Sequence, residues 1–232
     1  MLCYQKDFSD FISAKWFPKD YHGGISGGVW FEKVLEHFIS YKLLDIENYS
    51  KDDIFVDIAA ASSPWTEQLR KRIGIESYAI DLNEVGESYA DYEYYRVEDA
   101  TKSSFSDSSV RGAALHCAFE MFSGDDDISL LKEAARILAP GGKLIILPLY
   151  MHTHFCGYST PEYFMKGFND KLAKEYVRYD VHGVSWSRKY DHIHLYNRVI
   201  KNIKKNNLKY RLLKLTNKTD LSDEIYCHFI LE

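Results

Sequence analysis

Three things are scarce in this 232-residue sequence, and each scarcity argues against a class of function. Cysteine is the first: Cys3, Cys117, Cys156 and Cys227 lie far apart and form no CxxC pair. That argues against a zinc centre built on paired cysteines and for free thiols in a reducing cytosol. Positive charge is the second. The 29 Lys and Arg are outnumbered by 34 Asp and Glu, for a net charge of -5, so the basic footprint that general nucleic-acid binding requires is missing. Apolar length is the third. No run approaches the ~18 residues of a membrane span, and the N-terminus carries Lys6 and Asp7 where a signal peptide has its apolar region. A cytoplasmic chain with no nucleic-acid partner and no membrane span is expected. Its 46% hydrophobic and 27% charged residues are those of an ordinary globular protein. One domain over residues 1–232 is expected, with an N-terminal helical segment or lid over 1–50 and the main core over 51–232.

A fourth scarcity is local. Asp53 to Ile58 reads as a short buried strand, and Ala59-Ala60-Ala61-Ser62-Ser63-Pro64 follows as a small-residue turn into a helix. Such a unit offers free backbone N–H groups and a helix N-terminus to a docking cofactor. It contains no glycine. The glycines gather instead at Gly23, Gly24, Gly27 and Gly28, which cannot be the interior of a regular element. This run reads as a linker or as a lid that brings Tyr21 or His22 to a pocket. Phe31, Val34, Leu35 and Phe38 after it form one face of a helix.

Strands and helices then alternate. A second strand ends in Asp81-Leu82, and twenty residues separate Ala61 from Asp81. That spacing suits an acid placed at a ribose. Tyr94 to Val97 is a third strand, followed by Asp99 and Ala100; Ala113 to Ala118 is a fourth and includes His116. A helix lined by Ile128, Leu131, Ala135 and Leu138 is expected to stop at Pro140-Gly141-Gly142, before a fifth strand over Lys143–Leu147. Residues 161–178 read as helical, 182–192 as irregular, and Leu195 to Asn206 as a helix. Lys209–Leu215 and Glu224–Leu231 read as a closing antiparallel hairpin. The pattern predicts an α/β fold: a Rossmann-like, seven-stranded, mainly parallel sheet with helices on both faces. The small-residue turn, Asp81, Asp99 and His116 share the sheet edge where ligands bind in such folds.

These motifs resemble those of the class I S-adenosylmethionine-dependent methyltransferases, in the small-molecule branch. Val56 to Ser63 is similar to the family's first motif, an acid followed by three alternating glycines, here replaced by Ala59, Ala61 and Ser63. Tyr78-Ala79-Ile80-Asp81 is similar to the ribose-binding motif, and Glu98-Asp99-Ala100 to the segment that meets the adenine amino group. Leu130 to Leu147, with its Pro-Gly-Gly turn, resembles the following helix, turn and strand. Phe119-Glu120-Met121-Phe122 stands where many relatives carry a Glu-His pair. The resemblance implies S-adenosylmethionine as cofactor and S-adenosylhomocysteine as product. It implies cofactor contacts at Asp57, Ala59, Ala61, Ser62, Asp81, Leu82, Asp99, Ala100 and His116.

The expected activity is methyl transfer to a small molecule or glycan-type intermediate, at oxygen. A proton must then leave the acceptor, and histidine is a natural base. His152 and His154, on the loop after the fifth strand, rank first; His22, Tyr150 and Arg188 are expected at the acceptor. His152-Thr153-His154 also alternates like metal ligands on a strand, but no third ligand is evident and no metal is expected. A dehydrogenase is disfavoured, because its pyrophosphate loop needs glycine. A methyltransferase fold that has lost its chemistry and serves as a binding or scaffold partner stays open through the replaced glycines.

Overall fold

The computed structural model describes residues 3, 5–26, 28–83, 93–167, 170–179, 184–223 and 229–232. Gly27, Cys227 and the first part of the last expected strand, residues 224–228, lie outside them.

Helices α1 (Gln5–Ser13) and α2 (Trp30–Leu44) precede strand β1 (Ile54–Ile58), helix α3 (Trp65–Arg72), and strands β2 (Glu76–Asp81), β3 (Tyr95–Val97) and β4 (Val110–His116). Helix α4 (Asp126–Ile137) leads to β5 (Leu138–Leu147), and the chain closes with β9 (Leu212–Lys214) and β10 (Phe229–Leu231). These seven strands form one sheet in the order β3-β2-β1-β4-β5-β10-β9. All neighbours among β1 to β5 run parallel, and β10 is antiparallel to β5 and β9. Strand order reverses between β1 and β4, which opens a crevice at their carboxyl ends.

The pleat sorts the core into two layers. Phe55, Ala114, Ile145 and Leu147 pack with Phe38, Ile39, Trp65 and the N-terminal aromatics on one face. Val56, Ile58, Leu115 and Ile146 pack with Leu130, Leu131 and Val199 on the other. Side chains alternate across a strand. Asp57 therefore shares the face of Phe55, and His116 that of Ala114, so both turn toward α2 rather than toward α4.

Between β5 and β9 the structure departs from expectation. Residues 161–178 are not one helix. Only Pro161–Met165 (α5) is helical, while β6 (Cys156–Ser159), β7 (Lys174–Val177) and β8 (Trp186–Lys189) form a separate sheet in the order β7-β6-β8. Strand pairing overrides the helix-like apolar spacing of that stretch. The span 182–192, expected to be irregular, contains β8 and the start of a helix, α6. This helix begins at His192–His194, widens to a π-helical turn over Leu195–Ile200 and ends as Lys201–Lys205. Helix α4 stops at Ile137, ahead of Pro140-Gly141-Gly142. That turn lies inside the span of β5, where the register with β4 shifts between Val110 and Gly112. A Cβ at Gly142 would stand 2.8 Å from the Val110 carbonyl oxygen.

The small sheet is tied to α4 by buried charge. Arg188 is fully buried and pairs through Nη1 with Asp127 Oδ2 at 2.9 Å and through Nη2 with Asp170 Oδ2 at 3.0 Å. The Tyr190 hydroxyl donates to Asp127 at 2.6 Å, and Arg198 closes on Asp127 at 2.7 Å. This corrects the acceptor-binding role expected for Arg188: its guanidinium is held by internal carboxylates. Removing one partner of a buried ion pair costs about 3–5 kcal/mol, because the other is left uncompensated. Arg188→Met should therefore lower unfolding stability by that amount in a denaturant titration. A variant as stable as the parent would show that the two carboxylates do not need the guanidinium.

Candidate active site at the carboxyl edge of the sheet

Helix α2 carries its polar residues on a buried face. Lys33, Glu36, His37 and Ser40 recur at i, i+3, i+4 and i+7, which aligns them along one side of a helix, and none is more than 9% exposed. Buried polar groups must find partners, and these find them at the ends of β1 and β4.

His37 Nδ1 donates to the Lys33 carbonyl at 2.7 Å, which leaves Nε2 to accept from Ser63 Oγ at 3.2 Å. Its ring stacks on that of His116, with centroids 3.9 Å apart and planes 13° apart. The Ser40 hydroxyl gives its one proton to the His37 carbonyl at 3.0 Å, so it accepts from His116 Nε2 at 2.8 Å. That assignment leaves His116 Nδ1 as an acceptor facing Asp57 Oδ1 at 2.9 Å. The electrostatics agree. Burial pushes the Asp57 carboxyl up to about 7, against the lowering pull of His37 and Ser63. Burial, helped by the Lys33 charge, drives the His116 imidazole down to about 3. The pair is therefore a protonated acid donating to a neutral imidazole. Both ring nitrogens of His116, expected at the cofactor, are thus engaged by protein groups.

The turn after β1 keeps the shape of a glycine turn without glycine. Ala59 has φ 54° and Ala61 has φ 44°, in the left-handed region that costs an L-residue about 1 kcal/mol or more. The shape is held by Ala60 N–H donating to the Ile80 carbonyl at 3.1 Å and Ala61 N–H donating to Asp81 Oδ2 at 2.9 Å. Asp81 Oδ1 accepts from Asn83 N–H at 3.0 Å. Ser62 and Leu82 are exposed on the same rim, and Ala100 is buried behind it. Asp99 accepts from Thr101 N–H and Oγ1 at 2.9 and 2.7 Å.

These residues fit S-adenosylmethionine. Asp57 Oδ2 is buried and makes no hydrogen bond among the described residues, an acceptor suited to an ammonium group. Asp81 offers a rim carboxylate beside the turn, as a ribose diol requires. Asp57, Asp81 and Asp99 would hold the ammonium, ribose and adenine in turn.

A second polar cluster, not foreseen from the sequence, lies beside the first. Lys33 Nζ pairs with Glu36 at 3.1 Å. Burial alone would drive the Lys33 proton off, but the Glu36 carboxylate and Cys117 more than offset this and keep the ammonium. Burial raises Glu36 as well, against the pull of Lys33. Cys117 Sγ donates to Glu120 Oε1 at 3.3 Å and lies 3.4 Å from the Tyr150 hydroxyl. Burial raises the Cys117 thiol to about 12 and the Glu120 carboxyl above its usual range. Tyr150 therefore belongs to this cluster. His22 is exposed beside the buried Tyr21, their rings 4.4 Å apart. His152 and His154 face each other at 4.5 Å on the loop that enters the small sheet, and His154 Nε2 lies 2.8 Å from the Tyr176 hydroxyl. The missed signal was the polar set on α2, which shares helical spacing with the apolar face.

His37 is fully enclosed and neutral; burial first, then His116, holds its pKa well below the ordinary value. Below pH 6.5 the unfolded chain takes up a proton here that the native chain does not, so stability falls as the pH falls. Asp57 and His116 nearly cancel between pH 4 and 6.5, because the folded and the unfolded pair each hold one proton. His37→Gln should therefore remove about 1.4 kcal/mol per pH unit from the acid slope between pH 6 and 5, read from urea unfolding. An unchanged slope would mean that His37 is charged in the fold.

Residues 56–146 match a family model described as a methyltransferase domain. No curated protein sequence matches the chain. Among solved structures it is similar to the 1,6-didemethyltoxoflavin-N1-methyltransferase of Burkholderia thailandensis, crystallised with 1,6-didemethyltoxoflavin and S-adenosylhomocysteine. That likeness has 13% identity, covers 100% of this chain and 89% of that chain, and has a TM-score of 0.56. It is also similar to phosphoethanolamine N-methyltransferase 2 of Haemonchus contortus, in complex with phosphomonomethylethanolamine and S-adenosylhomocysteine. Here identity is 15%, coverage is 92% of this chain and 45% of that chain, and the TM-score is 0.51. At these identities the likeness establishes fold. Residues 56–146 thus match a methyltransferase-domain model, and the sheet they build has the fold of S-adenosylmethionine-dependent methyltransferases.

Proposed function

We propose that the chain methylates a hydroxyl oxygen of a small-molecule or glycan-type acceptor, with Glu120 receiving the acceptor's proton. The observation that carries this reading is Glu120 Oε2. It is buried, makes no hydrogen bond among the described residues, and stands at the carboxyl edge just after β4. Burial raises the Glu120 pKa, while Lys33 and Lys189 pull it back. A buried carboxylate with a raised pKa is a stronger proton acceptor than a solvated one.

When bound, S-adenosylmethionine supplies a methyl group activated on a sulfonium and leaves as S-adenosylhomocysteine. The chain's residues do the rest. Asp81 and Asp99 orient the nucleoside, and Asp57 meets the ammonium. Helix α2 shields the reacting edge from water, and Lys33 sets the local field. The acceptor hydroxyl's proton would pass to Glu120 Oε2, leaving the oxygen's electron pair for the methyl group as the sulfur keeps the pair of the bond it gives up. His152 and His154 yield the proton-acceptor role to Glu120 in this proposal, because His154 is held by Tyr176.

One observation favours a second reading, a fold that binds a partner without turning over. Ala59 and Ala61 each place a Cβ at left-handed positions on the cofactor face. Titration calorimetry with S-adenosylmethionine and S-adenosylhomocysteine separates the two. The enzyme reading expects saturable binding, weakened by about 1–3 kcal/mol in Asp81→Ala through lost charge-assisted hydrogen bonds. It also expects binding at least as tight in Ala59→Gly and Ala61→Gly. No binding at millimolar cofactor sinks it. Once a hydroxylated acceptor is found, Glu120→Gln should lower kcat roughly 10²- to 10⁴-fold with cofactor affinity kept. A variant with parental kcat would remove Glu120 from the chemistry.

A further inference from the structure

His152, His154 and Cys156 follow one another at every second position, on the bent segment that leads from β5 into the start of β6. The fold completes what the spacing begins. One ligand atom from each residue lies within 4.8 Å of the other two. We propose that these three side chains form a site for a zinc-class divalent cation, with the fourth position open to water.

The donor set is two imidazoles and one thiolate, the borderline-soft combination that zinc takes. Tetrahedral coordination at about 2.0–2.3 Å requires ligand atoms roughly 3.4–3.8 Å apart. From separations of up to 4.8 Å the three groups need to close by at most roughly 1–1.4 Å, which side-chain rotation on a loop can supply. Cys156 is buried at the start of β6, while His152 and His154 are half-buried, so one side of the site is protein and the other opens outward. The rings of His152 and His154 already stand edge to face, 4.5 Å apart and perpendicular. The Tyr176 hydroxyl, 2.8 Å from His154 Nε2, is the outer partner that fixes a metal-bound imidazole. That leaves Nδ1 of His154, now 3.2 Å from the exposed Thr153 hydroxyl, for the ion. Around the thiol the charges are mixed: Lys189 and Lys174 face Glu175 and Asp191. Binding converts the Cys156 thiol and the free ion into a thiolate–metal bond and releases one proton to solvent.

A second group of three, His37, Asp57 and His116, is equally close in space but differently built. Its imidazoles stack face to face, and their four ring nitrogens are engaged by Lys33, Ser63, Ser40 and Asp57. Asp57 Oδ2 is open, but no imidazole lone pair there is free for a metal without dismantling the stack. In the loop triad the partners are looser: His152 Nδ1 accepts from His154 N–H at 3.4 Å and His154 Nδ1 lies 3.2 Å from the exposed Thr153 hydroxyl, contacts that side-chain rotation can exchange for an ion. An ion there would staple the loop after β5 to the small sheet.

The test uses the full chain stripped with a chelator and titrated with Co²⁺ alone. One equivalent should bind at micromolar concentration or tighter. It should give a near-ultraviolet thiolate-to-metal band and tetrahedral visible bands, both displaced by Zn²⁺. Cys156→Ser should abolish the thiolate band, and His152→Ala, at a half-exposed position, should weaken binding at least tenfold without disturbing the fold. His37→Gln should bind as the parent does. No stoichiometric binding by the parent at tens of micromolar Co²⁺ overturns the site. So does a thiolate band that survives Cys156→Ser, or an affinity unchanged in His152→Ala.

Discussion

The structure turns on one constraint: polar groups taken out of water must be matched inside. Helix α2 brings Lys33, Glu36, His37 and Ser40 under the sheet edge, where an unmatched hydrogen-bonding group costs about 1–3 kcal/mol and a charge costs more. The matching groups, Asp57, Ser63, His116 and Cys117, come from the ends of β1 and β4. These two strands are adjacent in space because the strand order reverses between them. The crevice of the fold and the partners of α2 are therefore the same place. The N-terminal helix is not an appended cover: its polar face and the carboxyl edge complete each other.

The proton arrangement follows from that packing. Ser40 has one hydroxyl proton and uses it on a carbonyl, which forces His116 to donate from Nε2. Nδ1 then needs a donor, and burial has made Asp57 one by raising its pKa to about 7. A cation arriving at Asp57 Oδ2 would favour the ionised acid, and so couple cofactor capture to the hydrogen bond that orients His116. The acid of the first motif thereby pairs with a residue on the neighbouring strand and fixes its tautomer, whatever it would contribute to a cofactor.

Much of this fold could be read before the structure was in hand. The runs Ile54–Ile58, Glu76–Asp81 and Val110–His116 are apolar enough to be buried on both faces, and Asp81 closes β2 as its position in the sequence predicts. The failures share a cause, namely partners far away in sequence. Arg188 resembled an anion binder because Asp127 and Asp170, which neutralise it, come from α4 and from the turn before β7. Lys174–Val177 resembled part of a helix because its apolar spacing is ambiguous over four residues, and only pairing with β6 decides. The polar residues of α2 would ordinarily be taken for its solvated face. Nothing local reveals that the helix is buried on both sides.

The turn after β1 shows how a sequence departure can preserve structure and still alter function. Alanine at 59 and 61 adopts the positive φ that glycine would, held by the Ile80 carbonyl and the Asp81 carboxylate. The backbone strain is offset by hydrogen bonds from neighbours already fixed by the sheet, so the path of the turn survives. A Cβ nonetheless remains at each position, on the side a cofactor approaches, and Asp81 now serves two masters. It anchors the Ala61 N–H, and under the proposed function it would also have to face a ribose. A glycine turn could relax without that anchor. Here the acid cannot move to a ligand without releasing the strained turn, which links recognition of the nucleoside to the conformation of the loop that receives it.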